Sequence, residues 1–433
     1  MTALDTASVL VGSAALLGYV NHRFLRLPAT IGVLGLTLVG ALLLLIIEWL
    51  APGWRLGGRL AVFSAGIDFN ALLMRGMLGL LLFAGALHVG VQELLANRWT
   101  IAALATVGVA ISTAAIGAAG WAVFHVLGLG IPLTVCFAFG AIISPTDPVA
   151  VIGMLKRLGA PKDLEATIAG ESLFNDGVGV VAFLALASIA GLSGGPQLSQ
   201  EQFHLAGVAW MLLREAGGGV LLGLTAGYAA YRALKSIDYH ELELLITLAL
   251  AMVVYTVSFP LGVSGPIAVV VAGLLIGHYG RQFAMSRRTI EHVDAFWGMM
   301  DDILNAVLFL LIGLEVLSTR LTLPTAIAAA VMIPIALGAR FVSVALPVFL
   351  FRLKSSHPRG LVPILTWGGL RGGLSLAMAL SLPHLPVRDT LIGCTYGIVV
   401  FSILAQGMTM RGMLRRFGLL PAGESEANFG DRI

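Results

Sequence analysis

Two short stretches place ionisable and hydroxyl side chains inside otherwise apolar sequence: "SPTDPVAV" from residue 144 and "GESLFNDGVGVV" from residue 170. Read as a helix, the second stretch puts Ser172, Asn175 and Asp176 on one face, with Glu171 and Asn175 on an adjoining stripe. In the first, Pro145 and Pro148 flank Thr146 and Asp147, and each proline removes an amide donor and clashes with the preceding turn. Thr146 therefore offers both a hydroxyl and a freed carbonyl. With the Asp176 carboxylate and the Ser172 hydroxyl these make a hard oxygen site suited to a small cation. An aspartate near a bilayer centre costs about 2.5–3.5 kcal/mol on insertion scales, so a partner, water or a function must offset it.

The surrounding composition is that of a membrane. Of 433 residues, 58% are hydrophobic and 11% charged, against roughly a quarter charged in soluble domains. A soluble globular protein is excluded, and the chain reads as one polytopic, all-α membrane unit over 1–433. The net charge of +3 does not indicate nucleic acid, because the basic residues fall in short loops between apolar runs. Cys136 and Cys394 lie inside apolar segments and form no metal or redox spacing. The first apolar run has no basic flank or small-x-small cleavage site, so it reads as a transmembrane helix rather than a signal peptide.

Stretches long enough to span about 30 Å occur near 6–20, 28–50, 70–92, 99–127, 131–156, 164–192, 204–234, 241–259, 262–279, 292–317, 322–351, 359–383 and 389–413, thirteen in all. Every second loop is basic: with the N-terminus outside and the C-terminus in the cytoplasm, the inner segments hold 18 of the 26 Lys and Arg. The fifth and twelfth spans are interrupted, one by its two prolines and the other by four glycines around Arg371 in "TWGGLRGGLSLAMAL". They occupy matching positions in two oppositely oriented six-helix sets, with the seventh span as connector. This is the pattern of an inverted-repeat transporter whose broken helices cross near the midplane.

Opposed half-helices leave like backbone ends together. Helix N-termini would favour Asp147 and C-termini would favour Arg371, so these two are expected mainly as electrostatic plugs. Glu171 is expected to form a buried structural ion pair with Arg371. Asp301 and Asp302 near the inner mouth of the tenth span fit a funnel or a solvated helix end. Neither they nor Glu315 and the Arg214–Glu215 pair is assigned a site role.

"SPTDPVAV", "GESLFNDGVGVV", "SGPIAVVVAGLLIG", "FWGMMDDILNAVLFLLIGLE" and "TWGGLRGGLSLAMALSLP" resemble, in order, the NhaP/NHE branch of monovalent cation/proton antiporters. The resemblance implies a thirteen-helix homodimer in the inner (plasma) membrane. It implies a core domain about 99–192 and 322–413, a dimer domain about 6–92 and 204–317, and a short cytoplasmic tail over 418–433. It also implies that Asp176 binds the cation, that Ser172 and Thr146 help coordinate it, and that Asn175 and Asp147 shape the site. The family's glutamate–arginine pair falls on Glu171 and Arg371. No cofactor is expected beyond the transported Na⁺, or another monovalent cation, and H⁺.

The chain departs from that pattern at Ala84, where many relatives carry glutamate, and at Phe259-Pro260, where many carry an acid before "GVSG". Both positions bear on preference among Na⁺, K⁺ and Li⁺. The expected activity is electroneutral Na⁺/H⁺ exchange by alternating access, not enzymatic catalysis. The alternatives are a K⁺/H⁺ exchanger or a cation channel, although no filter sequence is present. An intramembrane aspartyl hydrolase lacks a second glycine–aspartate motif.

Overall fold

The computed structural model describes residues 3–50, 68–157, 161–192, 205–317, 322–352, 360–383 and 386–417. The expected tail over 418–433 lies outside the described residues. Helix occupies each apolar stretch read from the sequence. In chain order these are α1 (Ala3–Val20), α2 (Ala29–Leu50), α3 (Leu72–His88), α4 (Arg98–Val126) and the broken α5 with halves α5a (Leu133–Ile143) and α5b (Val149–Arg157). Then come α6 (Lys162–Ile189), α7 (Leu205–Leu234), α8 (His240–Leu261), α9 (Gly265–Leu275), α10 (Arg287–Leu314) and α11 (Leu323–Arg352). The chain continues through the broken α12, with halves α12a (Leu361–Gly368) and α12b (Gly373–Leu380), to α13 (Arg388–Arg416). Among the described residues, six helices are long and apolar enough to cross a membrane by length and composition alone.

Local chemistry places the boundaries. Pro260 lies in the last turn of α8, which ends on Gly262 in the left-handed region at φ 63°. Ser264 then caps α9 by accepting from the Ile267 amide at 3.4 Å. The 241–279 segment is thus two helices rather than one kinked helix. Helix–helix packing falls into two sets. One joins α4, α5a, α6, α11, α12 and α13; the other joins α1, α2, α3, α7, α8, α9 and α10. Between the sets, α6 touches α7, α9 and α3, α12b touches α3 and α10, and α13 touches α2.

The two broken helices meet at their breaks. Asp147 and Leu370 form an isolated antiparallel bridge, and the Asp147 amide donates to the Leu370 carbonyl at 2.8 Å. A satellite apolar cluster of Val151, Leu155, Ile168, Val344, Leu365 and Met410 clamps α5b and α12a against α6, α11 and α13. The glycines of the twelfth span now have a steric reason: a Cβ on Gly369 would strike the Arg340 guanidinium, and one on Gly372 the Asp147 carboxylate.

Gly372→Ala is therefore expected to lower the thermal stability of the purified protein, since overpacking of this kind costs about 1–3 kcal/mol. Gly40→Ala, whose added Cβ meets nothing within 4 Å, should not. Tryptophan-fluorescence melting in mild detergent compares the two.

Candidate functional site

A break in a membrane helix strands backbone groups, and each one left unsatisfied in hydrocarbon costs several kcal/mol. Here every available amide of the first break is used. Ser144 N donates to Gly140 O at 3.0 Å, Thr146 N to Asn175 Oδ1 at 3.4 Å, Asp147 N to Leu370 O at 2.8 Å and Val149 N to Asp147 Oδ1 at 3.0 Å. The last contact makes the Asp147 carboxylate a cap at the N-terminus of α5b. At the other end of the break, Arg371 Nη1 donates to the carbonyls of Ser144 at 2.6 Å and Pro145 at 2.9 Å, closing the C-terminus of α5a. The Arg371 amide donates to Ser402 Oγ at 2.9 Å, and Ser402 Oγ to Gln406 Oε1 at 2.6 Å.

The structure corrects the expected ion pair. Glu171 does not hydrogen-bond Arg371; its two carboxylate oxygens are gripped by Arg340 of α11, with Nη2 to Oε2 at 2.9 Å. The same guanidinium donates to the Leu365 carbonyl, from Nε at 3.3 Å and Nη2 at 3.1 Å, and so also closes the C-terminus of α12a. The physical reason is geometric. Arg371 sits inside the crossing with its guanidinium turned to α5a, whereas Arg340 enters from a neighbouring helix and reaches both Glu171 and α12a. No motif singles out Arg340 in the sequence, yet a buried cation demands a partner as firmly there as at Arg371.

Thr146, Ser172 and Asn175 come together. Asn175 Nδ2 donates to Thr146 Oγ1 at 2.8 Å, and the Thr146 and Ser172 hydroxyls lie 3.1 Å apart. All three side chains are buried. Asp176 differs from every other ionisable group at the crossing: among the described residues nothing hydrogen-bonds or pairs with its carboxylate. It lines a cavity of about 990 Å³ together with Thr146, Asp147 and Ser172. That cavity runs from the exposed Arg26 and Lys162 inward to the crossing, past Glu93, Glu165, Asp301 and Asp302.

The cavity wall thus includes Asp301 and Asp302, which sequence reading left without a role, and Asn305, Ser375 and His88, which it passed over. Asn305 and Ser375 were legible only as polar residues in apolar helices, with no motif to single them out. Ala84 also lines the cavity and is fully buried, so the position of that departure faces the site; Phe259 is 54% exposed and is not among the lining residues.

A sodium/hydrogen exchanger transmembrane family model matches residues 11–416. The chain belongs to that family. It is 42% identical over 419 residues to the Na⁺/H⁺ antiporter NhaP of Pseudomonas aeruginosa, covering 95% of this chain and 96% of that one. It is 34% identical to the Na⁺/H⁺ antiporter NhaH of Halobacillus dabanensis, covering 81% of this chain and 84% of that one. The sodium proton antiporter MjNhaP1 of Methanocaldococcus jannaschii shares the fold, with TM-score 0.64 at 22% identity over 90% of this chain and 99% of that one. Exchangers of this family are transporters rather than enzymes.

Removing one member of a buried ion pair strands the other and typically costs about 3–5 kcal/mol. Arg340→Ala is expected to lower expression and melting temperature sharply. Arg340→Met combined with Glu171→Gln should recover part of the loss, as thermal melts of the single and double variants will show. Additive losses in the double variant would mean that the two groups act independently.

Proposed function

We propose that the protein exchanges Na⁺ for H⁺ across the membrane, one for one, with Asp176 as the carboxylate for which the two ions compete. The observation that carries this reading is the uncommitted Asp176 carboxylate at the inner end of a cavity beside a crossing of broken helices. The neighbouring cations are already engaged, Arg371 with backbone carbonyls and Arg340 with Glu171. A carboxylate in that position holds a proton or a cation, and a bound cation favours its ionised form. Ser172 and Thr146 supply hydroxyl oxygens, Asn175 fixes Thr146, and Asp147 caps α5b. That relatives carry the name Na⁺/H⁺ antiporter supports Na⁺ as the cation, with Li⁺ or K⁺ as further substrates to be tested.

The residues at the cavity mouth belong to the segments that the positive-inside rule assigns to the cytoplasm, which supports reading this as an inward-facing state of an N-out, thirteen-span protein in the plasma membrane. Alternating access follows if the set containing α4–α6 and α11–α13 rocks against the other. The other set, rich in exposed apolar side chains on α7 and α8 such as Leu221, Leu245 and Val253, would hold two copies together as a homodimer. Cys136 and Cys394 are buried and free, so labelling of added cysteines is clean. Val126→Cys should react only from outside and Arg415→Cys only from the cytoplasm.

Asp176→Asn is expected to abolish cation-driven proton movement in proteoliposomes while leaving a folded protein. In the wild type, apparent cation affinity should fall as pH drops, because protons then occupy the shared carboxylate. Proton flux should not respond to imposed voltage. Wild-type exchange in Asp176→Asn would remove Asp176 from the site, and strongly voltage-dependent flux would rule out one-for-one exchange.

A further inference from the structure

The cavity that Asp176 lines also holds two oxygens without protein partners among the described residues. Ser375, in the first turn of α12b, lines the cavity and is 1% exposed, and its hydroxyl has no hydrogen-bond partner among the described residues. Two other buried serines, Ser258 and Ser343, donate to the carbonyl three residues earlier, at 2.7 and 2.9 Å; Ser112 is also without a partner among the described residues but does not line the cavity. A buried hydroxyl left without a partner costs about 1–3 kcal/mol, which a ligand would offset.

The second oxygen is on α10. Asn305 is buried, and its Nδ2 donates to the Asp301 carbonyl at 2.9 Å and to Asp301 Oδ1 at 3.0 Å. That fixes the amide with nitrogen toward Asp301, and among the described residues its Oδ1 carries no hydrogen bond. The two walls meet: a Cβ on Gly373 would strike Leu308, one turn beyond Asn305, and one on Gly372 would strike Asp147. Around them the cavity is lined by apolar groups such as Leu82, Ala84 and Leu308.

We propose that Ser375 Oγ and Asn305 Oδ1 are neutral oxygen ligands that complete the shell of the cation held by Asp176 and set its size selectivity. This rests on the reading of Asp176 as the cation carboxylate. A small monovalent cation leaving water needs several oxygens, and a single carboxylate with two hydroxyls on one side leaves the other side bare. The α12b and α10 walls of the same cavity supply a hydroxyl and an amide oxygen, without adding charge that would change the number of protons exchanged. Because Ser375 rides on α12b and Asn305 on α10, which belong to different packing sets, this half of the shell would be complete only while the two walls stand together.

The test compares wild type, Ser375→Ala, Ser375→Thr and Asn305→Ala in proteoliposomes with Li⁺, Na⁺ and K⁺, alongside cation-dependent thermal shifts in detergent. Ser375→Ala should weaken apparent affinity about three- to tenfold, in keeping with one lost polar contact, and change the Li⁺:Na⁺ ratio. Its melting temperature without cation should stay level or rise, because an unsatisfied buried hydroxyl is gone. Ser375→Thr should retain wild-type affinity, and Asn305→Ala should shift selectivity in the same sense as Ser375→Ala. Folded Ser375→Ala with wild-type affinities and ratios would overturn the proposal, as would a stability loss without any affinity change. A wild type with neither exchange nor cation-dependent thermal shift would instead sink the Asp176 reading, and this inference with it.

Discussion

A helix interrupted inside a membrane has backbone ends that cannot turn to water, and two such helices crossing at their breaks concentrate those ends in one place. Satisfying them organises the protein's interior. Arg371 closes the C-terminus of α5a and Arg340 that of α12a, while Asp147 caps α5b and joins the Leu370 carbonyl through its amide. Each of these groups lies where the backbone charge of a helix end is opposite to its own. The apolar cluster around Val151, Leu365 and Met410 then holds the half-helices in register.

Once the ends are closed, little counter-charge is left over. Glu171 absorbs part of Arg340, and the carbonyls of Ser144 and Pro145 absorb the donors of Arg371. Among the described residues, neither guanidinium pairs with Asp176, and both have other partners.

Much of this was legible in the sequence because the relevant forces leave coarse marks. Prolines flanking Thr146-Asp147 and glycines around Arg371 could only mean interrupted helices, and an intramembrane carboxylate at Asp176 could only mean partner, water or function. The failure was in pairing. Glu171 was expected to pair with Arg371, and finding Arg340 instead required knowing that the Arg371 guanidinium turns toward α5a while Arg340 enters from α11. Periodicity cannot show that. Asn305 and Ser375 escaped for another reason: a single amide or hydroxyl in an apolar helix is common, and only an oxygen left without a partner at a cavity wall makes it notable.

The Asn175 amide has a further effect. A backbone N–H can only donate, so the Thr146 amide obliges Asn175 to present its oxygen there and its nitrogen to Thr146 Oγ1. Thr146 Oγ1 thus receives a hydrogen on one lone pair, and the Thr146 and Ser172 hydroxyls share a single hydrogen bond at 3.1 Å. Which face of the Asn175 amide meets the threonine hydroxyl at the cavity wall is in this way dictated by a main-chain N–H.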